Sequence, residues 1–250
     1  GIDPSRGGDN ETLRFYPKAK EAEVVLANGE SDIYTYNLET YELIDEPIAH
    51  SRVLRDITVG TQTIRLIERT GKDARVFGID PSRGGDNETL RFYPNLEHPE
   101  LSEAEVIITD TESKIYPYNP QTFDIDLNSL LAYTQLLREI TFQDNTYILI
   151  ARYNAKTNAL ERVFGIDKES RQEAIRYHLR YGLAEIMIDN THSDIYAYEK
   201  GYGLVEPKLG ISEIVGQVTV AGTEYPVIHT QPTPQGKEIV KDRYFAVDIR

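Results

Sequence analysis

Residues Gly1–Pro17 (GIDPSRGGDNETLRFYP) recur letter for letter at Gly78–Pro94, and a degenerate third version (GIDKESRQEAIRYHLRY) begins at Gly165. A chain that repeats itself at near-constant spacing must build one structural module several times, because each copy carries the same hydrophobic pattern. Three further blocks keep the register. Ala22–Leu26 returns as Ala104–Ile108 and Ala184–Ile188, and Ser31–Tyr36 as Ser113–Tyr118 and Ser193–Tyr198. Arg55–Val59 returns as Arg138–Phe142 and, less closely, as Gly216–Val220. The closing residues Phe245–Asp248 echo Phe77–Asp80 and Phe164–Asp167. These landmarks divide the sequence into three repeats, 1–80, 81–167 and 168–250. Because the first residues match the tail of the landmark that closes each repeat, we expect a piece of a longer array. Identity of the two joints points to recent duplication, gene conversion or engineering.

Within a repeat, apolar and polar residues alternate, as in Leu54–Val59 and Thr63–Ile67, which is the period of a half-buried strand. Gly60-Thr61, Gln143-Asp144-Asn145 and Ala221-Gly222-Thr223 fall between such runs and are expected to be hairpin turns, as is Asn28-Gly29 earlier in the first repeat. Arg75–Ile79 is the last strand of its repeat. The third joint has a helical pattern: Ser170 and Glu173 fit a capping box, and Ile175, Leu179 and Leu183 share a helix face. In the identical joints a shorter helix is expected, capped by Asp86 or Asn87, facing Leu90 and Tyr93 inward and stopped by Pro94. A second helix is expected at Leu127–Leu137, in the middle repeat alone, since the others carry Pro47 and Pro207 there. The fold class read from this pattern is α+β: three tandem modules of about 80 residues, each a short helix packed on a mostly antiparallel sheet of about five strands. The rival is an all-β array of sandwiches with only a turn of helix at each joint.

Composition narrows the function classes. A net charge of −14 opposes nucleic-acid binding, which needs clustered Lys and Arg to displace counterions. No apolar run approaches the length of a helical membrane span, so no membrane insertion is expected. The absence of cysteine removes disulfides and thiolate metal sites, leaving the cytosol and secreted repeat proteins both open. We read an extracellular or cell-surface setting as favoured over a cytoplasmic one.

Two candidate sites emerge. The recurring Ile-Tyr-x-Tyr strand would display Tyr34, Tyr36, Tyr116, Tyr118, Tyr196 and Tyr198 on one side, a platform for a glycan or partner protein, or else the rim of the core. The joint carries Asp80, Asp86, Asn87 and Glu88 around Gly84-Gly85, oxygen ligands of the kind calcium accepts, or else ordinary turn and helix caps. The Asn87-Glu88-Thr89 and Asn10-Glu11-Thr12 triplets have the form of glycosylation sequons. His50, His98, His178, His192 and His229 occupy non-equivalent positions without metal-ligand spacing.

Repetition multiplies a surface, whereas a catalytic site needs one assembly of distinct roles. The expectation is therefore a non-enzymatic structural or adhesive repeat segment with multivalent protein contacts or self-association. Alternatives are a glycan- or peptide-binding module using the tyrosine strands, and a hydrolase with a carboxylate site between repeats.

Overall fold

A computed structural model describes residues 12–17, 20–26, 30–83, 88–170, 172–189, 191–220 and 223–246. The first repeat supplies β1 (Leu13–Tyr16), β2 (Glu21–Val25), β3 (Ser31–Tyr36), β4 (Leu43–Val59), β5 (Gln62–Gly71) and β6 (Arg75–Ile79). The second supplies β7 (Glu88–Tyr93), β8 (Glu103–Ile107), β9 (Ser113–Pro117), β10 (Ala132–Phe142), β11 (Asn145–Asn154) and β12 (Leu160–Asp167). The third supplies β13 (Glu173–His178), β14 (Leu183–Met187), β15 (His192–Tyr198), β16 (Leu204–Val220), β17 (Thr223–Pro232) and β18 (Arg243–Ala246). Matching sequence blocks thus occupy matching strands, and successive strands pair antiparallel in a meander.

The α+β expectation is overturned. Helical structure among the described residues is confined to the 3-10 turns Pro81–Arg83 and Pro99–Leu101, and the fold is all-β. The expected joint helix is instead the first strand of each repeat. In β7, Leu90 and Phe92 are buried while Arg91 and Tyr93 are exposed, and in β13 Ile175 and Tyr177 are buried while Arg176 and His178 are exposed. That is a period of two. The Ile175, Leu179, Leu183 spacing satisfies a helical stripe only by skipping Tyr177, and the chain turns at Gly182, whose φ of +66° is cheap for glycine. Ser170 and Glu173 form no capping box: Ser170 donates its backbone N–H to Asp167 Oδ1, and Glu173 pairs with Arg162 on β12. The expected helix at Leu127–Leu137 is irregular chain running into β10.

Hairpins at Gly60-Thr61 and Gln143-Asp144 close β4–β5 and β10–β11, while Asn28-Gly29 and Ala221-Gly222 lie outside the described residues. Both long strands, β4 and β16, pair with the preceding strand through their first half and with the following one through their second. A bulge at equivalent places, between Val53 and Arg55 and between Ile214 and Gly216, bends them where they change partners.

The described chain falls into two compact units, one of Gly1–Asp110 and Lys114–Leu130, the other of Thr111–Ser113 and Leu131–Arg250. Their hydrophobic clusters explain the division. In the first unit Val59, Ile64 and Leu66, from the second half of repeat one, pack with Leu90, Phe92, Ala104 and Tyr118 from the first half of repeat two. In the second unit Ile140, Tyr147, Leu149 and Val163 of repeat two pack with Ile175, Tyr177, Ala184 and Tyr196 of repeat three. Each core therefore joins the second half of one repeat, its donor half, to the first half of the next, its acceptor half. Gly78 and Gly165 lie in these cores, facing Leu90 and Ile175 across the ladder, where a Cβ on Gly78 would sit 2.5 Å from Ile64 Cγ2.

A smaller cluster of the second unit, Ile195, Leu209 and Val240, covers the other sheet face. The segment between β17 and β18 folds back there, with Thr233 N–H and Oγ1 donating to the carbonyls of Leu209 and Lys208.

Candidate functional site

The most regular feature of the molecule is a trio of aromatic rings built once per repeat. In each, a ring on the first strand meets the last aromatic of the Ile-Tyr-x-Tyr block and a third ring from the loop that follows. Phe15, Tyr36 and Tyr41 form the first, Phe92, Tyr118 and Phe123 the second, Tyr177, Tyr198 and Tyr202 the third. The second and third rings stack in every case, at 5.9, 6.2 and 5.7 Å between centroids. The first ring presents its edge or a tilted face to them at 4.7–5.1 Å from the second. Such edge and offset contacts satisfy the ring quadrupoles and add about 0.5–1.5 kcal/mol per pair beyond area burial.

The loop ring is aimed by a turn. Tyr41, Phe123 and Tyr202 all have positive φ, at 59°, 56° and 66°. In the first two repeats an asparagine opens the turn: Asn37 Oδ1 accepts from the N–H groups of Glu39 and Thr40, and Asn119 Oδ1 from those of Gln121 and Thr122. Asn154 makes the same pair of bonds with Lys156 and Thr157 between β11 and β12, ending on Asn158 at φ 57°. The sequence signal is Tyr-Asn-x-x-Thr, at Tyr36–Thr40, Tyr118–Thr122 and Tyr153–Thr157, an Asx-turn followed by a left-handed residue. In the third repeat Glu199 and Gly201 stand in the loop instead, and the Glu199 and Tyr202 N–H groups still close it.

Donor strands reach these loops. Arg55 of β4 donates to the Thr122 carbonyl, and Arg138 of β10 donates to the Gly201 carbonyl. Each accepting residue directly precedes the loop aromatic.

The six tyrosines singled out from the sequence are all wholly or partly covered. Tyr36, Tyr118 and Tyr196 are buried, Tyr34, Tyr116 and Tyr198 half-buried, and Ile33, Ile115 and Ile195 on the opposite side are buried as well. Burial pushes the Tyr118 phenol up to about 12. Tyr36, Tyr118 and Tyr198 belong to the aromatic trios through their rings; the Tyr36 hydroxyl is buried without a hydrogen-bond partner.

The opposite face carries a second recurring set. Arg14 and Tyr16 bind Glu23, Arg91 and Tyr93 approach Glu105, and His178 pairs with Glu185. At Arg91, whose side chain is exposed but closely flanked by its neighbours, partial desolvation opposes the charge, but Glu88 and Glu105 outweigh it and its affinity for the proton rises. At Glu185 burial likewise opposes ionisation, yet His178, Arg176 and the Ser212 hydroxyl hold the carboxyl below its usual range. Arg75, Arg162 and Arg243 lie over Phe77, Phe164 and Phe245 at 4.8–5.2 Å.

Of the joint residues proposed as oxygen ligands, Asp80 is buried and its Oδ1 accepts from the Ser82 N–H and hydroxyl, while Glu88 is held by Arg75 and Arg91. Asp86 and Asn87 lie outside the described residues. Among the described residues no group of three or more His, Asp or Glu is placed to hold a metal ion. Each histidine instead sits beside a carboxylate: His50 by Asp32, His98 by Glu100, His178 by Glu185, His192 by Asp189 and Glu213, His229 by Asp242. An open hollow of about 490 Å³ adjoins the second aromatic trio, lined by Pro99, Glu100, Pro117, Tyr118, Gln121 and Asp124 among others. No described helix is long and apolar enough to cross a membrane.

No family model matches the chain, and no characterised protein matches it in sequence. Among solved structures it is similar to a protein described as a 6-phosphogluconolactonase from Bacteroides uniformis, at 12% identity over 95% of this chain and 85% of that one, with a TM-score of 0.27. It is also similar to a chain from a study of two prolyl endopeptidases, at 10% identity over 100% of this chain and 44% of that one, with a TM-score of 0.26. Likenesses this distant carry no argument about fold or activity.

Proposed function

We propose that the chain is a non-enzymatic structural or adhesive repeat segment, a scaffold in which consecutive repeats complete one another's cores. The observation that supports this reading is the rebuilding of the aromatic trio at every repeat, with its arginine clasp from the preceding repeat at the second and third. The repeated residues are spent on packing and on cross-strand ion pairs, a use of sequence that makes strength rather than a unique reactive centre. A structural segment must carry load, so the test is mechanical. Tethered by its two ends and stretched, the chain should resist with cooperative unfolding steps. Extension without a force peak would defeat the reading.

A second reading, peptide or glycan binding, is supported by the hollow beside Tyr118, where prolines and an aromatic edge stand next to Glu100 and Asp124. Binding of short cationic peptides that is lost on Glu100→Lys with Asp124→Lys would favour it over the scaffold.

A further inference from the structure

The middle repeat carries an insertion that its neighbours lack. Between β7 and β8 it has nine residues, 94–102, where the first and third repeats have four, at 17–20 and 179–182. The longer segment is anchored as the first repeat's turn is: the Ser102 carbonyl accepts the Tyr118 N–H, as the Lys20 carbonyl accepts that of Tyr36. Ser102 is fully buried and its hydroxyl accepts the Asn95 N–H, while Asn95 Oδ1 accepts from the N–H groups of Glu97 and His98. The Leu101 and Ser102 N–H groups close on the carbonyls of His98 and Pro99. So held, the insertion supplies Pro99 and Glu100 as one wall of the hollow that Pro117, Tyr118 and Pro120 also line. Those last two prolines are peculiar to this repeat, since the first has Thr35 and Leu38 and the third Ala197 and Lys200 at their places. Proline rings make the walls stiff and leave them without N–H donors.

The lining carries the carboxylates of Glu100, Asp124 and Asp126 and no basic side chain. Nearby cations offset this charge in part: His98 lies 3.4 Å from Glu100, and Arg55, which donates to the Thr122 carbonyl, lies 3.9 Å from Asp124. The same insertion leaves Leu96 73% and Leu101 61% exposed, an apolar pair of the kind that marks a contact surface. We infer that this hollow docks an extended peptide segment of a partner protein in which a lysine or arginine stands beside a bulky apolar residue, and that it does so once per chain. The apolar residue packs on the proline and tyrosine surface, while the aliphatic stem of the basic one lies along it and carries the charge to the carboxylates. A sugar, whose hydroxyls both donate and accept, calls for donors that three prolines and three carboxylates do not supply. This assignment rests on the peptide-binding reading above and deepens it. The hollow lies within the middle repeat, whose neighbours on both sides are part of the chain.

The test is fluorescence anisotropy on the full chain with a labelled, capped octapeptide in which a central Lys-Leu pair is flanked by glycines and serines. One molecule should bind per chain, and more weakly as salt rises. Replacing the peptide's lysine by glutamate, or its leucine by glycine, should each weaken binding about tenfold or more. Glu100→Lys and Asp124→Lys should each do the same, whereas Glu42→Lys, the first-repeat counterpart of Asp124, should leave binding unchanged. All three positions are exposed, and circular dichroism confirms that each variant is folded. Equal weakening by Glu42→Lys would mean a diffuse attraction to an acidic protein and overturn the inference, as would three peptides bound per chain. Binding that needs the lysine but not the leucine would overturn it and leave the peptide reading standing. Binding of a neutral hexasaccharide in place of the peptide would overturn it in favour of a glycan site, and no binding of either probe would remove the second reading with it.

Discussion

Replacing Gly78 by alanine tests whether the cores are packed as tightly as their geometry implies. The added Cβ would lie 2.5 Å from Ile64 Cγ2 and 2.9 Å from Leu90 Cβ. Ordinary carbon contacts sit at about 3.5–4.0 Å, so the side chains must retreat by roughly 1 Å. Overfilling of this kind costs about 1–3 kcal/mol. Against it stands the reduced backbone freedom of the unfolded chain, worth about 0.5–1 kcal/mol in favour of alanine within a strand. The net expectation is a loss of about 1–2 kcal/mol, read from the urea midpoint at unchanged slope. A double-mutant cycle isolates the cause. Ile64→Ala alone should cost about 2–5 kcal/mol, Ile64 being 3% exposed. In that background Gly78→Ala should cost at least about 1 kcal/mol less than in the parent, because the atom it strikes hardest is gone. A stabilising Gly78→Ala, or a cycle additive to within about 0.5 kcal/mol, would refute the packing described for this core.

Tyr36→Phe removes a buried hydroxyl that has no partner while keeping the ring, and should be neutral or raise stability by up to about 1–3 kcal/mol; a clear loss in thermal melting would show that the hydroxyl is bonded. Gly236→Ala should destabilise the second unit by about 3 kcal/mol or more, since its Cβ would fall 1.7 Å from the Leu209 carbonyl oxygen, a backbone atom that cannot rotate away. His192, hydrogen-bonded to Asp189 and then to Glu213, has its pKa raised above the ordinary 6.5. The proton is thus held more tightly in the folded state, so the contribution is full below pH 6.5 and fades as pH rises through the folded value; an NMR titration should show the raised midpoint, and Glu213→Gln should lower it.

Strand positions were legible wherever one face is buried and the other wet. Alternation located β5, β6 and the second half of β4, and turn residues located two of the hairpins. The first strand of each repeat reads as helix from sequence because, as in the third repeat, Ile175, Leu179 and Leu183 satisfy a helical stripe while Ile175 and Tyr177 equally satisfy a strand, and six residues are too few for periodicity to arbitrate. Local chemistry held one signal that goes further, the Tyr-Asn-x-x-Thr turn, whose Asx bonds and the left-handed residue directly after it are set within a short stretch of chain. The tyrosine block was visible, but its partners were not: Phe92 and Phe123 lie far from Tyr118 in the chain or behind a turn, and only the folded register brings the rings together. The pairing of one repeat's second half with the next repeat's first half is likewise a property of long-range contacts, to which a repeating pattern is blind because it looks the same at any starting phase.

That half-repeat offset governs how such a sequence can lengthen. Copying any full period, wherever the cut is made, inserts one acceptor and one donor, and these close with their new neighbours into a finished interior. Each duplication therefore lengthens the chain by one complete interior, and an excision that follows the visible borders at 80 and 81 splits a hydrophobic interior that a cut near 130 leaves whole.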